Sequence, residues 1–133
     1  MIDGLTTIPS GFAARETMDR LEAAVKARGL TVFARIDHAA GAAAVGLPLG
    51  PTELLIFGNA RGGTPLMQEN QTAGIDLPLK ALVHEDAAGN VWLSYDDPGW
   101  IARRHDLGAP VALNVKGLAE AMSALAAYAA KSS

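Results

Sequence analysis

Two alternating apolar runs joined by a short polar turn constrain this chain more than any other feature. Leu79 to Asp86 and Val91 to Asp96 read as paired strands, and Asp86-Ala87-Ala88-Gly89-Asn90 fits a type I turn with glycine in the left-handed position. The turn predicts a register: Glu85 faces Val91, His84 faces Trp92, Leu82 faces Ser94 and Lys80 faces Asp96. One face then carries Lys80, His84, Trp92, Ser94 and Asp96. The other carries Leu79, Ala81, Val83, Leu93 and Tyr95 and suits a core. A slip of one residue would exchange the two faces, so the prediction is sharp.

The flanking sequence supplies the partners such a hairpin needs. Ile2 to Ile8 reads as a strand ended by Pro9. Ser10 is placed to cap a helix over 11–28, whose Ala14, Met18, Leu21 and Val25 share one face and whose stop is Gly29. Thr31 to His38 alternates as a strand, with Val32, Ala34, Ile36 and His38 on one face and Thr31, Phe33, Arg35 and Asp37 on the other. Ala39 to Leu47 suits a short helix or a loop. Residues 53–58 are apolar on both faces, which places that strand centrally in a sheet. Thr64, with Pro65 at the first helical position, predicts a helix from Pro65 to Gln71. Asp97 with Pro98 predicts another that ends at Gly108, and Arg103, Arg104 and His105 suit its last turn. A final helix from Asn114 carries the stripe Leu118, Met122, Leu125 and Ala129. The sum is one domain over residues 1–133, a two-layer α+β fold. Its antiparallel sheet has four to five strands, in the order strand-helix-four strands-helix, with two long helices on one face.

Composition narrows the function classes. The net charge is −3 and no basic stripe is present, which argues against nucleic acid as a partner. There is no cysteine, so disulfides, thiolate nucleophiles and cysteine metal sites are excluded. No basic segment followed by a long apolar run opens the chain, and no apolar run approaches the ~20 residues that cross a bilayer, so no signal peptide and no membrane span are expected. A cytoplasmic protein, assembled as a homodimer, is the expectation.

The stretch from Thr52-Glu53-Leu54-Leu55-Ile56-Phe57-Gly58-Asn59 through Gly63-Thr64-Pro65-Leu66-Met67 resembles the domain of unknown function 302 family. The resemblance continues through Asp76-Leu77-Pro78-Leu79-Lys80-Ala81-Leu82-Val83 to Val91-Trp92-Leu93-Ser94-Tyr95-Asp96-Asp97-Pro98 and His105, with weaker matches at Ile36-Asp37-His38 and Ala39-Ala40-Gly41. It implies the same strand-helix-four strands-helix fold with an antiparallel sheet. It supplies no catalytic residue to carry over. The family's pattern has an aromatic near His84, and the histidine here departs from it.

Gly58 and Gly63 have the spacing of a phosphate loop, but Thr64 stands where the lysine is needed and Pro65 where the magnesium-binding hydroxyl is needed, which excludes nucleotide hydrolysis. Exposed amides at the start of the helix that follows could still hold a small anion or carboxylate. A glycine turn that merely connects two elements is the simpler account. The three histidines, His38, His84 and His105, form no H-x-H pair, and no metal site is expected from their spacing. Lys80 and Asp96 suit a cross-strand ion pair, or a charged pair at the floor of a pocket flanked by His38 and Asn59. No serine has a nucleophile context. The leading expectation is therefore non-catalytic binding of a small polar or anionic ligand near His38, Asn59, Thr64, Lys80, Asp96 and His105. Two alternatives remain open: a small enzyme using His38 or His105 with Asp96 as acid and base, and a protein-interaction module using the exposed sheet face and Trp92. Catalytic residues and any cofactor stay unassigned.

Overall fold

The computed structural model describes residues 2–131. In chain order the elements are β1 (Leu5–Pro9), α1 (Ala14–Ala27), β2 (Thr31–Asp37), α2 (His38–Ala44), β3 (Thr52–Gly58), α3 (Ala60–Glu69), a 3₁₀ segment (Gln71–Asp76), β4 (Leu79–Glu85), β5 (Val91–Asp96), α4 (Pro98–Arg104), a short 3₁₀ turn (Ala109–Val111) and α5 (Ala112–Ala130). The strands form one five-stranded antiparallel sheet in the order β1-β5-β4-β3-β2. The long helices α1 and α5 pack on each other and on one face of it. The fold class expected from the sequence is the one observed.

The hairpin register is also the expected one, with Leu82 opposite Ser94, His84 opposite Trp92 and Glu85 opposite Val91. It carries the predicted energetic consequence. Leu79, Ala81, Val83, Val91 and Leu93 point at the helices and are buried. They meet Met18, Leu21 and Val25 of α1 and Met122, Leu125, Ala126 and Ala129 of α5. Each fully buried large aliphatic side chain there contributes roughly 1.5–3 kcal/mol of transfer free energy.

Four local expectations are corrected, each for a physical reason. Helix α1 starts at Ala14, not residue 11, and Ser10 does not cap it. The amides of Ser10 and Gly11 donate to Val91 O at 2.8 Å and Ala130 O at 2.7 Å, which holds them to the sheet edge and to α5 outside the helix. The alternation of β2 is broken by a bulge between Val32 and Ala34. An extra residue in one strand moves later side chains to the opposite face. Val32 thereby joins Phe57 against the core, although Ala34 and Ile36 point away from it. Helix α5 starts at Ala112, before Asn114. Helix α3 starts at Ala60, well before Pro65.

The last of these matters most for the site. Asn59 caps α3, its Oδ1 accepting from the Gly62 amide at 2.7 Å. Thr64 and Pro65 therefore lie inside the helix. An interior proline loses its own bond to the carbonyl four residues back and crowds that carbonyl, a cost that tertiary packing can override. A Cβ on Gly62 would lie 3.3 Å from Leu118 Cδ2 and 3.2 Å from Asn59 Oδ1. The glycine serves close approach of α3 to α5, where the sequence suggested a turn.

On the helix side of β2, Arg35 gathers three carboxylates: Asp19 at 2.8 Å, Glu22 at 3.2 Å and Glu53 at 2.9 Å. The hydrogen bonds that Arg35 donates to Glu53 are the main reason the guanidinium is held above its ordinary range. Hydrogen bonds from Lys26 first, and then Arg35, hold the Glu22 carboxyl below its own. This network fixes α1 over the β2–β3 pair.

Candidate functional site

The end of β3, the whole front of α3, the start of β4 and α5 enclose a cleft of about 670 Å³. Its walls are apolar: Leu30, Phe33, Met67, Leu77, Leu118 and Leu125 among them. Glycines 58, 62, 63 and 74 also line it, and a side chain at Gly62 or Gly74 would press on Leu118 or Met67 of the same walls. The polar groups are few and sit on α3: the cap Asn59, the side chain of Arg61, and Thr64. In the first turn Asn59 Oδ1 occupies the Gly62 amide, and Gly63 N donates to Asn59 O. The amides of Ala60 and Arg61 have no intrahelical acceptor, as at any helix start. Arg61 forms no ion pair among the described residues. The cleft therefore offers an apolar body with unpaired donors at one edge.

Of the residues expected from the sequence, Asn59 and Thr64 line this cleft and the other four do not. His38 is the first residue of α2 and is exposed, because Asp37 ends β2 and caps that helix by accepting from the Ala40 amide at 2.9 Å. Lys80 and Asp96 share the open face of the sheet, but Lys80 Nζ donates to Pro78 O at 3.0 Å and to Asp76 O at 3.3 Å, and it forms no ion pair with Asp96 among the described residues. Two carbonyls already close to the β4 start offer a shorter reach than a carboxylate across the strand.

His105 is nearly buried, and both its ring nitrogens are engaged. Nε2 lies 2.5 Å from Asp76 Oδ2, and Nδ1 lies 2.9 Å from Thr72 Oγ1. Asp76 also accepts from Arg104 Nη1, at 2.8 Å to each carboxylate oxygen. Asn70 closes the assembly: its Nδ2 donates to His105 O at 2.8 Å, and its Oδ1 receives the Thr72 amide at 3.1 Å and lies 3.0 Å from Thr72 Oγ1. The cluster clamps the 3₁₀ segment onto the end of α4. Lys80 and His105 thus meet, through its backbone and its carboxylate respectively, at Asp76, a residue that sequence reasoning did not select. Its partners are 28 and 29 positions away in the chain, and no local pattern announces them. Arg61 was also missed; a start of α3 at Ala60 would have exposed it, and the Thr64-Pro65 pair disguised that start.

On the open face, Thr7 Oγ1, Ser94 Oγ and His84 Nε2 form a chain across β1, β5 and β4, with separations of 2.8 and 3.1 Å. Trp92 Nε1 donates to Asp86 Oδ2 at 2.9 Å. That bond, and amides of the hairpin turn after it, hold the Asp86 carboxyl below its ordinary range. No group of three or more histidines or carboxylates among the described residues is arranged to hold a metal ion.

A family model described as "Domain of unknown function DUF302" matches residues 6–126. The chain belongs to the DUF302 family. The DUF302 chain is 46% identical over 127 residues to "Fluoride-specific ion channel FluC 1" of Brucella suis biovar 1, covering 96% of this chain and 50% of that protein. It is likewise 46% identical over 127 residues to "Fluoride-specific ion channel FluC 2" of Brucella melitensis biotype 1, covering 96% and 47%. The chain spans about half the length of these curated relatives. No helix among the described residues is long and apolar enough to cross a membrane. The crystal structure of an uncharacterized conserved DUF302 protein from Bacillus stearothermophilus has a TM-score of 0.84 at 19% identity, covering 96% of this chain and 99% of that one. At that identity the likeness concerns the DUF302 fold.

Proposed function

We propose that the chain is a non-catalytic binding module whose ligand occupies the cleft beside α3. The observation that carries this reading is the cleft itself: about 670 Å³, apolar-walled, with its polar groups confined to one edge. Small-molecule sites generally have this size and this ratio of apolar wall to placed polar groups. The walls suit a molecule with an apolar body. The unpaired amides of Ala60 and Arg61, with the Arg61 guanidinium, suit an anionic or polar end. The expected ligand is thus a small amphipathic anion, narrower than the polar or anionic class read from the sequence. Cytoplasmic location and a homodimer belong to the same proposal.

The name of the Brucella relatives makes fluoride the first inorganic anion to compare. The test is displacement of anilinonaphthalene sulfonate, an apolar anion that fluoresces when bound, by octanoate, octanol and sodium fluoride. Saturable binding, with octanoate displacing better than octanol, is the expected result. Displacement by fluoride alone would replace the amphipathic anion with the halide. Ala121 of α5 lines the cleft, and absence of saturable binding, or binding unchanged in Ala121→Phe, would overturn the reading.

The chain Thr72–His105–Asp76 is the arrangement that best suits the enzymatic alternative, since hydroxyl, imidazole and carboxylate are in sequence. Its hydroxyl is shared with Asn70, and none of its members lines the cleft. That favours a structural role.

A further inference from the structure

β2 is an edge strand: it pairs with β3 on one side and with nothing on the other among the described residues. It is seven residues long and leaves Phe33 and Ile36 exposed. Unpaired edges of this length present a row of free backbone groups and are ordinarily blunted or covered. The segment that follows is equally unusual. Residues 39–51, Ala-Ala-Gly-Ala-Ala-Ala-Val-Gly-Leu-Pro-Leu-Gly-Pro, contain no charged or hydrogen-bonding side chain. Helix α2 buries none of its residues, and Val45, Leu47 and Leu49 are each more than half exposed. An apolar surface projecting from the end of an open edge is a surface made to be covered.

We infer that a second copy of this chain covers both, through antiparallel pairing of β2 with its twin about a twofold axis normal to the sheet. Three observations select that occupant. In an isologous pairing the C-terminal end of one β2 lies beside the N-terminal end of the other. Each 38–51 segment then comes alongside the partner subunit's Leu30 and Phe33, at the mouth of the apolar cleft. Both lie on the helix side of the sheet, since Ala39 and Leu49 line a hollow with Ala14 of α1, as Leu30 and Phe33 line the cleft with Leu125 of α5. Helix α2 turns back over β3 and leaves the edge itself open. The area fits as well. Phe33, Ile36, Val45, Leu47 and Leu49 together leave roughly 400 Å² of apolar surface open. A standard interface of about 800 Å² per partner, somewhat over half of it apolar, needs about that much. A lipid surface fits less well, because with Glu53 paired to Arg35 the same end still holds Asp37 and Glu85 against Arg15 and carries no excess of positive charge for anionic headgroups.

The dimer stands whether or not the cleft holds a ligand, and its test is independent of one. Sedimentation equilibrium and light scattering on the whole chain should give a dimer. Phe33→Glu and Leu47→Glu should each give a folded monomer, judged by circular dichroism, at the same concentration. Leu47 lies in an exposed connection, so its variant keeps the test decisive even if Phe33→Glu misfolds. Leu82→Glu, on the open sheet face, should remain dimeric. A monomeric wild-type chain overturns the inference, whether it stays free or floats with phosphatidylcholine–phosphatidylglycerol vesicles. So does a dimer that survives in folded Leu47→Glu, or one that Leu82→Glu alone dissociates.

Discussion

The two sides of the 3₁₀ segment differ in kind: a polar cluster holds Asn70, Thr72 and Asp76, and the apolar cleft is lined by Gly74 and Leu77. On one side, Asp76, His105, Thr72, Asn70 and Arg104 form a polar cluster in which the named donors and acceptors have partners within 2.5–3.1 Å. On the other, the cleft beside α3 is apolar, glycine-lined and edged by donors without acceptors. The polar cluster looks more like a site by residue type, with its histidine, carboxylate and hydroxyl. The cleft looks more like a site by capacity. A group whose hydrogen bonds are already made within the protein must lose them to take a ligand, whereas an unpaired donor at the edge of a hollow loses nothing. The contrast teaches that conspicuous side chains and available side chains can be different sets.

The largest expected effect tests the structural half of that contrast. Asp76→Ala should lower the unfolding free energy by about 2 kcal/mol in urea titration, because it leaves the buried His105 Nε2 without its partner. Binding of the anionic fluorophore should be unchanged in the folded fraction. Loss of binding at full stability would reverse the assignment of the two regions. Next, Ala121→Phe should weaken fluorophore binding at least tenfold, about 1.4 kcal/mol, with little change in melting temperature. A third variant, Arg61→Ala, should weaken octanoate by about tenfold and octanol hardly at all, since only the carboxylate uses the charge. Its stability should stay within about 0.5 kcal/mol of the parent.

The smallest effect concerns Asp86. Its carboxyl is held low by the Trp92 indole, and then by turn amides. A depressed carboxyl contributes stability that is present above its ordinary value and is lost as pH falls through the lower folded one. Trp92 fluorescence should therefore report an acid transition below the usual carboxylate range. Asp86→Asn should remove that transition and leave cleft binding untouched.

The hairpin shows how far a sequence can determine its own structure. Its register, its core face and the turn chemistry follow from alternation and Gly89, which are properties of neighbouring residues. The same holds for the stripes of α1 and α5 and for the Asp97–Pro98 start of α4. Of the polar residues that sequence pattern singles out, Asn59 and Thr64 line the cleft, whereas Lys80 Nζ donates to the Pro78 and Asp76 carbonyls on the open sheet face.

What only the tertiary structure decided depends on distant partners. The late start of α1 follows from Val91 and Ala130 binding the backbone of residues 10 and 11. The early start of α3 follows from Leu118 of α5 fitting against Gly62, so that glycines and a proline that read as a break serve as a packing surface. Asp76 became the meeting point of Arg104 and His105 because the sheet and α4 bring them together across the chain. Local periodicity fixes which face of an element is apolar. Where elements touch, and which polar groups remain free once they do, is set by packing between residues that the sequence keeps far apart.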